Sequence, residues 1–211
     1  MTLVLLILLP LVGGFAAWFV GRRNADVCRW LSLAVVLAEL ALVLRVWARH
    51  LGDAGLGSSG PWLEIFERAW IPKLGISFIL AIDGLSLLMV VLTAFIGVMA
   101  VLVSWREIEE RVGIYFACLL WVLAGITGVF MALDLFLFYF FWEVMLIPMY
   151  FLIGVWGHER RIYASVKFFI FTLAGGLLML VSIVALTLSH AASTGIYTVD
   201  YSVVRGAAGA A

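Results

Sequence analysis

Charge is scarce in this chain of 211 residues: Asp, Glu, Lys and Arg together make up 12% of it, and the formal net charge is zero. The basic residues stand singly or in pairs, which excludes a polybasic surface segment and a nucleic-acid partner. Cysteine is limited to Cys28, in a short polar stretch that reads as a loop, and Cys118, inside a hydrophobic run. Neither a disulfide nor a metal site is expected from that pair. The histidines are as sparse: His50 and His190 stand alone, and His158, beside Glu159 and Arg160, reads as a solvated loop residue without metal-ligand spacing. A phosphate loop, a Rossmann glycine pattern and a nucleophile with an adjacent base are all missing, so soluble-enzyme chemistry has no support.

Apolar residues are abundant instead, at 66% of the chain. That exceeds what a soluble core requires and marks an integral membrane protein. A hydrocarbon layer of about 30 Å needs about 20 apolar residues in helical form, which divides the chain into about six spans. They cover about residues 3–20, 30–47, 85–105, 114–133, 135–155 and 163–188. The organisation is therefore two spans in 1–47, an outer loop over 48–84, four spans in 85–188 and an outer tail over 189–211. The loop opens with Gly and Ser and closes on a partly alternating apolar stretch, which fits a short hairpin. The first span lacks a basic leader and has its arginines behind it, so it is expected to remain on the mature protein.

Arg22, Arg23 and Arg29, then Arg106 and Arg111, then Arg160 and Arg161 mark alternate loops as cytoplasmic, which sets the N-terminus outside. On the other side, Arg49, Arg68 and Lys73 are offset by Asp53, Glu64 and Glu67, and the turn at Asp134 has no basic residue. Trp18, Trp30, Trp47, Trp105 and Trp156 fall at expected span ends, where an amphipathic indole belongs.

Within FFWEVMLIPMYFLIG, Glu143 lies about 13 Å along its helix from Asp134, near the bilayer midplane. An ionised carboxylate there costs at least about 2.5–3.5 kcal/mol, so the group must be paired, protonated or next to water. Two roles fit: a proton carrier on an ion pathway, or a single interhelical hydrogen bond. Tyr139 and Tyr150 share its helix face at spacings of four and seven and are placed to support a proton site. Pro148 removes a backbone donor and clashes with the carbonyl of Val144, so a bend is expected just beyond Glu143. Lys167 lies about 8 Å inside the sixth span, which fits either a site residue or a side chain snorkelling to the interface. Its axial offset from Glu143, on the order of 10 Å, leaves coupling through water or a third residue rather than a direct salt bridge. Ala174, Gly175 and Gly176 would let another helix approach closely. Asp83 and Asp134 read as helix caps or turn residues.

The stretch FFWEVMLIPMYFLIGVWGHERR followed by YASVKFFIFTLAGG resembles the fifth and sixth membrane helices of an antiporter-like subunit, chain 4 or M, of proton-pumping NADH:quinone oxidoreductase, respiratory complex I. GISFILAIDGLSLLMVVLTAFIG resembles the approach to its third helix, so the likeness covers about residues 70–188. The resemblance implies an all-α membrane fold equivalent to the N-terminal half of an inverted-repeat architecture of about fourteen helices. It implies a proton-translocating role with Glu143 and Lys167 at the family's charged positions, and no cofactor on this chain. NADH, FMN, iron–sulfur clusters and quinone would then belong to other subunits. Expected partners are other membrane subunits of the complex, especially antiporter-like neighbours, and the lipid bilayer, in a bacterial inner membrane. A subunit of a multisubunit cation/proton antiporter and a structural, non-transporting membrane module are the alternatives. The family continues beyond the point corresponding to residue 211, so its further lysines have no counterpart here.

Overall fold

In hydrocarbon a single segment satisfies its own backbone polar groups only as a helix, and each long apolar run takes that form. The structure, a computed structural model, describes residues 1–50, 62–71, 76–195 and 197–203. Among the described residues, six helices are long and apolar enough to cross a membrane: α1 (Thr2–Gly21), α2 (Ala25–His50), α3 (Gly84–Glu107), α4 (Val112–Met131), α5 (Leu135–Trp156) and α6 (Arg161–Thr194). Asp53 and Lys73, the Gly/Ser-rich start of the outer loop and the last eight residues of the tail, 204–211, lie outside the described residues.

Capping chemistry moves two boundaries away from those read from hydropathy. The second helix starts at Ala25 rather than 30, because the Asn24 side-chain oxygen accepts from the N–H groups of Asp26 (2.9 Å) and Val27 (3.2 Å). Cys28 is therefore not a loop residue. It lies buried in α2, with its thiol donating to the Ala17 carbonyl at 3.3 Å. The sixth helix runs past 188 to Thr194 and stops where Gly195 adopts a left-handed conformation, φ 76°. Its 34 residues span about 51 Å, well beyond a hydrocarbon layer of about 30 Å.

Between α2 and α3, strand β1 (Glu64–Ile71) pairs antiparallel with β2 (Ile76–Ile82), Glu64 opposite Ile82 and Ala69 opposite Ser77, with a register slip before Ile71. The inner strand covers the α4–α5 turn: Leu133 N–H donates to the Ile79 carbonyl at 3.0 Å. Asp134 joins the pieces. Its carboxylate accepts from the N–H groups of Phe136 (2.9 Å) and Leu137 (3.0 Å) at the start of α5, and of Ser77 (3.0 Å) in β2. Burial pushes this carboxyl above the usual range, against the pull of those three donors, which favour the charged form. The chain after α6 returns to the same turn, where Leu135 N–H donates to the Val199 carbonyl at 2.9 Å. Asp83, for its part, caps α3 by accepting from Ser86 N–H at 2.7 Å.

The packing is uneven. Helix α4 touches α1, α2, α3 and α5, whereas α6 packs principally on α5. One apolar cluster, with Leu6, Val43, Val90 and Met131, fills the half of the α1–α4 bundle nearer the hairpin; another, with Val36, Val101, Phe116 and Leu120, fills the other half.

Candidate functional site

Glu143 sits on the side of α5 that meets α6, half-buried. The residue opposite is Gly176: a Cβ placed there would lie 3.0 Å from Glu143 Cδ and collide with Oε1. The glycine expected to admit a neighbouring helix instead makes room for the carboxyl group. Oε1 is shielded and has no hydrogen-bond partner among the described residues. A carboxyl oxygen in that condition carries an unmet demand for a donor, a proton or water. Neither phenol meets it through Oε1. Tyr150 turns its ring to Phe151 and Phe169, with centroids at 5.7 and 5.6 Å, and Tyr139 lies beside Phe136 at 6.5 Å.

Pro148 is buried within α5, which continues to Trp156, and lines an apolar groove of about 490 Å³ between α1, α4 and α5. Lys167 is not brought to Glu143. It lies on the exposed surface of α6, its ammonium 5.7 Å from the Tyr163 ring centre and 5.9 Å from that of Phe171, both on its own helix. Nine residues separate it from Gly176, an axial distance of about 13 Å. Gly175 faces open space, and Ala174 is exposed.

A second intramembrane carboxyl escaped the sequence reading. Glu39, in the middle of α2, is 0% exposed; its Oε1 accepts from the Thr127 hydroxyl of α4 at 3.2 Å, and its Oε2 has no partner among the described residues. The signal was present, since LAELALV places one acid in the centre of an apolar run, just as at Glu143. His190 is likewise more buried than its solitary position implied, with Nε2 near the end of α6 lacking a partner among the described residues. Among the described residues no three His, Cys, Asp or Glu side chains are grouped to hold a metal ion. At Glu143 the α5–α6 contact thus holds a carboxyl group, half-buried, with one oxygen shielded and without a hydrogen-bond partner among the described residues.

Residues 132–202, which contain Glu143, Lys167 and Gly176, match the family described as NADH:quinone oxidoreductase/Mrp antiporter, TM. NADH-quinone oxidoreductase subunit M of Escherichia coli is 50% identical over 208 residues, and that of Pseudomonas aeruginosa is 49% identical over 212. Each match covers at least 95% of this chain but 41% of the relative, so the chain spans well under half the length of the curated relatives it matches. Among solved structures, a chain of respiratory complex I from Thermus thermophilus with bound NADH superposes with a TM-score of 0.75 at 28% identity, covering 94% of this chain and 38% of that one. The all-α, six-span architecture expected from the sequence is thus shared with part of that longer chain. The chain is a homologue, along almost its whole length, of subunit M of the NADH-quinone oxidoreductases.

Proposed function

We propose that the chain serves as part of a proton-translocating membrane subunit of an NADH:quinone oxidoreductase, with Glu143 as the group that takes up and releases the proton. One observation carries the reading: a carboxyl oxygen deep in a span, shielded and without a partner among the described residues, faces a helix whose glycine leaves it room. An ionisable group at that depth is costly to bury and most often marks an ion pathway. Redox chemistry is assigned to other subunits, which hold NADH, FMN, iron–sulfur clusters and quinone. The energy of quinone reduction reaches this chain through neighbouring membrane subunits, in a bacterial inner membrane with the N-terminus outside. Lys167 acts at a distance, as a charge that biases the protonation of Glu143, while Tyr139, Tyr150 and Pro148 shape the surroundings of the carboxyl.

The test is NADH-driven proton uptake by membranes in which the full-length subunit carries Glu143→Gln, which keeps hydrogen bonding but cannot carry a proton. The expected result is loss of pumping with assembly and quinone reduction checked as intact. Normal pumping by an assembled Glu143→Gln complex would reduce Glu143 to a packing residue and end the proposal.

A further inference from the structure

Glu39 poses a different problem from Glu143, because nothing remains to cover it: α1, α3 and α4 already enclose α2, and the residue is 0% exposed. A carboxylate so enclosed needs a cation or several donors. The helices packed around it supply neither. Helix α1 contains no charged residue, and α4 contains none; its titratable side chains are Tyr115, bonded to Ser104 at 2.7 Å, and Cys118. Helix α3 carries Arg106 and Glu107 at its far end. On α2 itself Asp26 and Arg29 lie at one end, Arg49 and His50 at the other, and Arg45, six residues from Glu39, is exposed. Among the described residues the donor bonded to Glu39 is the single hydroxyl of Thr127, and Oε2 has none. A metal cation is a poor fit, because hard cations take six or more oxygen ligands and Thr127 Oγ1 is the one oxygen bonded to Glu39 among the described residues. A proton on Oε2 removes the charge without any further partner.

We infer that Glu39 is a second proton-binding site of this chain, holding a neutral carboxylic acid whose carbonyl oxygen accepts from Thr127. The placement ties it to the rest of the bundle. A Cβ on Gly125 would lie 2.7 Å from Met145 Cβ, so these residues of the antiparallel helices α4 and α5 are level. Thr127 and Glu143 each lie two residues from that contact toward the Asp134 turn. The two carboxyls therefore share one membrane depth, with α4 between them. The site does not rest on the transport role given to Glu143, since it follows from enclosure and the absence of a counter-charge.

Infrared spectroscopy of the intact chain in lipid nanodiscs at neutral pH tests it, comparing the unaltered chain with Glu39→Gln, Glu143→Gln and Thr127→Val. The expected result is a carbonyl stretching band of a neutral carboxylic acid that survives in Glu143→Gln and disappears in Glu39→Gln. In Thr127→Val the band should move to higher frequency, because its carbonyl loses a donor. If Glu39→Gln does not fold, the shift in Thr127→Val decides alone. A neutral-acid band indifferent to both the Glu39 and the Thr127 changes, or no such band, would show that Glu39 is ionised and overturn the inference. None of these outcomes depends on whether Glu143→Gln pumps.

Discussion

The molecule holds two intramembrane carboxyls in opposite conditions. Glu39 is enclosed by the three helices α1, α3 and α4 around its own; Glu143 stands on a helix pair, α5 and α6, in which α6 packs principally on α5. The contrast extends to the helices themselves: in the most apolar stretch of α4, 61% of residues are buried, against 11% in α6. An enclosed acid has to settle its charge with what the fold already provides. An acid at an open face can settle it with groups that arrive from elsewhere, including water and the additional helices that a longer subunit brings. Enclosure thus favours a fixed protonation state and openness favours exchange, which is why the transport role is proposed for Glu143 rather than for Glu39.

Asp134, where the enclosed and open parts meet, gives the largest expected effect. It holds α5 and the inner strand of the hairpin through three N–H donations. Asp134→Ala removes a helix cap and leaves the Ser77 donor unmet, together costing about 2–4 kcal/mol. Chemical unfolding of the chain in mild detergent would measure this. A loss near zero would mean that the Leu133–Ile79 backbone bond and apolar contacts hold hairpin and helices together without the carboxylate, and that the two parts are less separate than described.

Gly176 comes next, and it probes the open side. Gly176→Leu should displace the Glu143 carboxyl and lower proton transport by the full-length subunit by on the order of ten- to a hundredfold, the scale on which misplacing a reacting group acts. Gly175→Ala should be silent, because a Cβ there meets nothing within 4 Å. Equal effects from the two substitutions would indicate a general intolerance of side chains along α6 rather than a site at Glu143.

The spans, the caps at Asp83 and Asp134 and the acid at Glu143 were legible because each is a local property: run length, a side chain beside free N–H groups, a carboxyl at a given depth. The start of α2 was misplaced since Asn24 caps it within a polar stretch that hydropathy scores as loop. What Gly176 faces could not be read, because small residues along a helix show where close approach is possible and not what approaches. Lys167 illustrates the same limit. Its depth could be counted, but its direction depends on the rotation of α6, fixed by contacts with α5 distant in sequence. Glu39 differs again. Its depth was as countable as that of Glu143, yet its enclosure by α3 and α4 emerges only from tertiary packing.

A weaker effect is expected at Lys167. Over about 13 Å at an effective dielectric of about 20, a unit charge changes the protonation energy of Glu143 by about 1 kcal/mol. Lys167→Ala should therefore slow proton transport by less than about tenfold, and Lys167→Arg should restore it. A complete loss in the alanine variant, with the complex assembled, would mean that Lys167 lies directly on the proton path.

The smallest effect separates the two carboxyls most cleanly. Thr127→Val deletes the one hydroxyl bonded to Glu39, a loss of about 0.6–1 kcal/mol given the modest worth of interhelical hydrogen bonds in membranes. Glu39→Leu should cost no more, and stabilise the chain if packing adapts, because exchanging a buried ionisable group for an apolar one of similar volume is often neutral or favourable. Both are read as shifts in the thermal unfolding midpoint of the chain in lipid or detergent. A strong destabilisation by Glu39→Leu would show that the carboxyl has partners essential to the fold, so that enclosure around Glu39 depends on the acid. A neutral result leaves packing as the source of stability there, and the acid as a passenger that must carry its own proton.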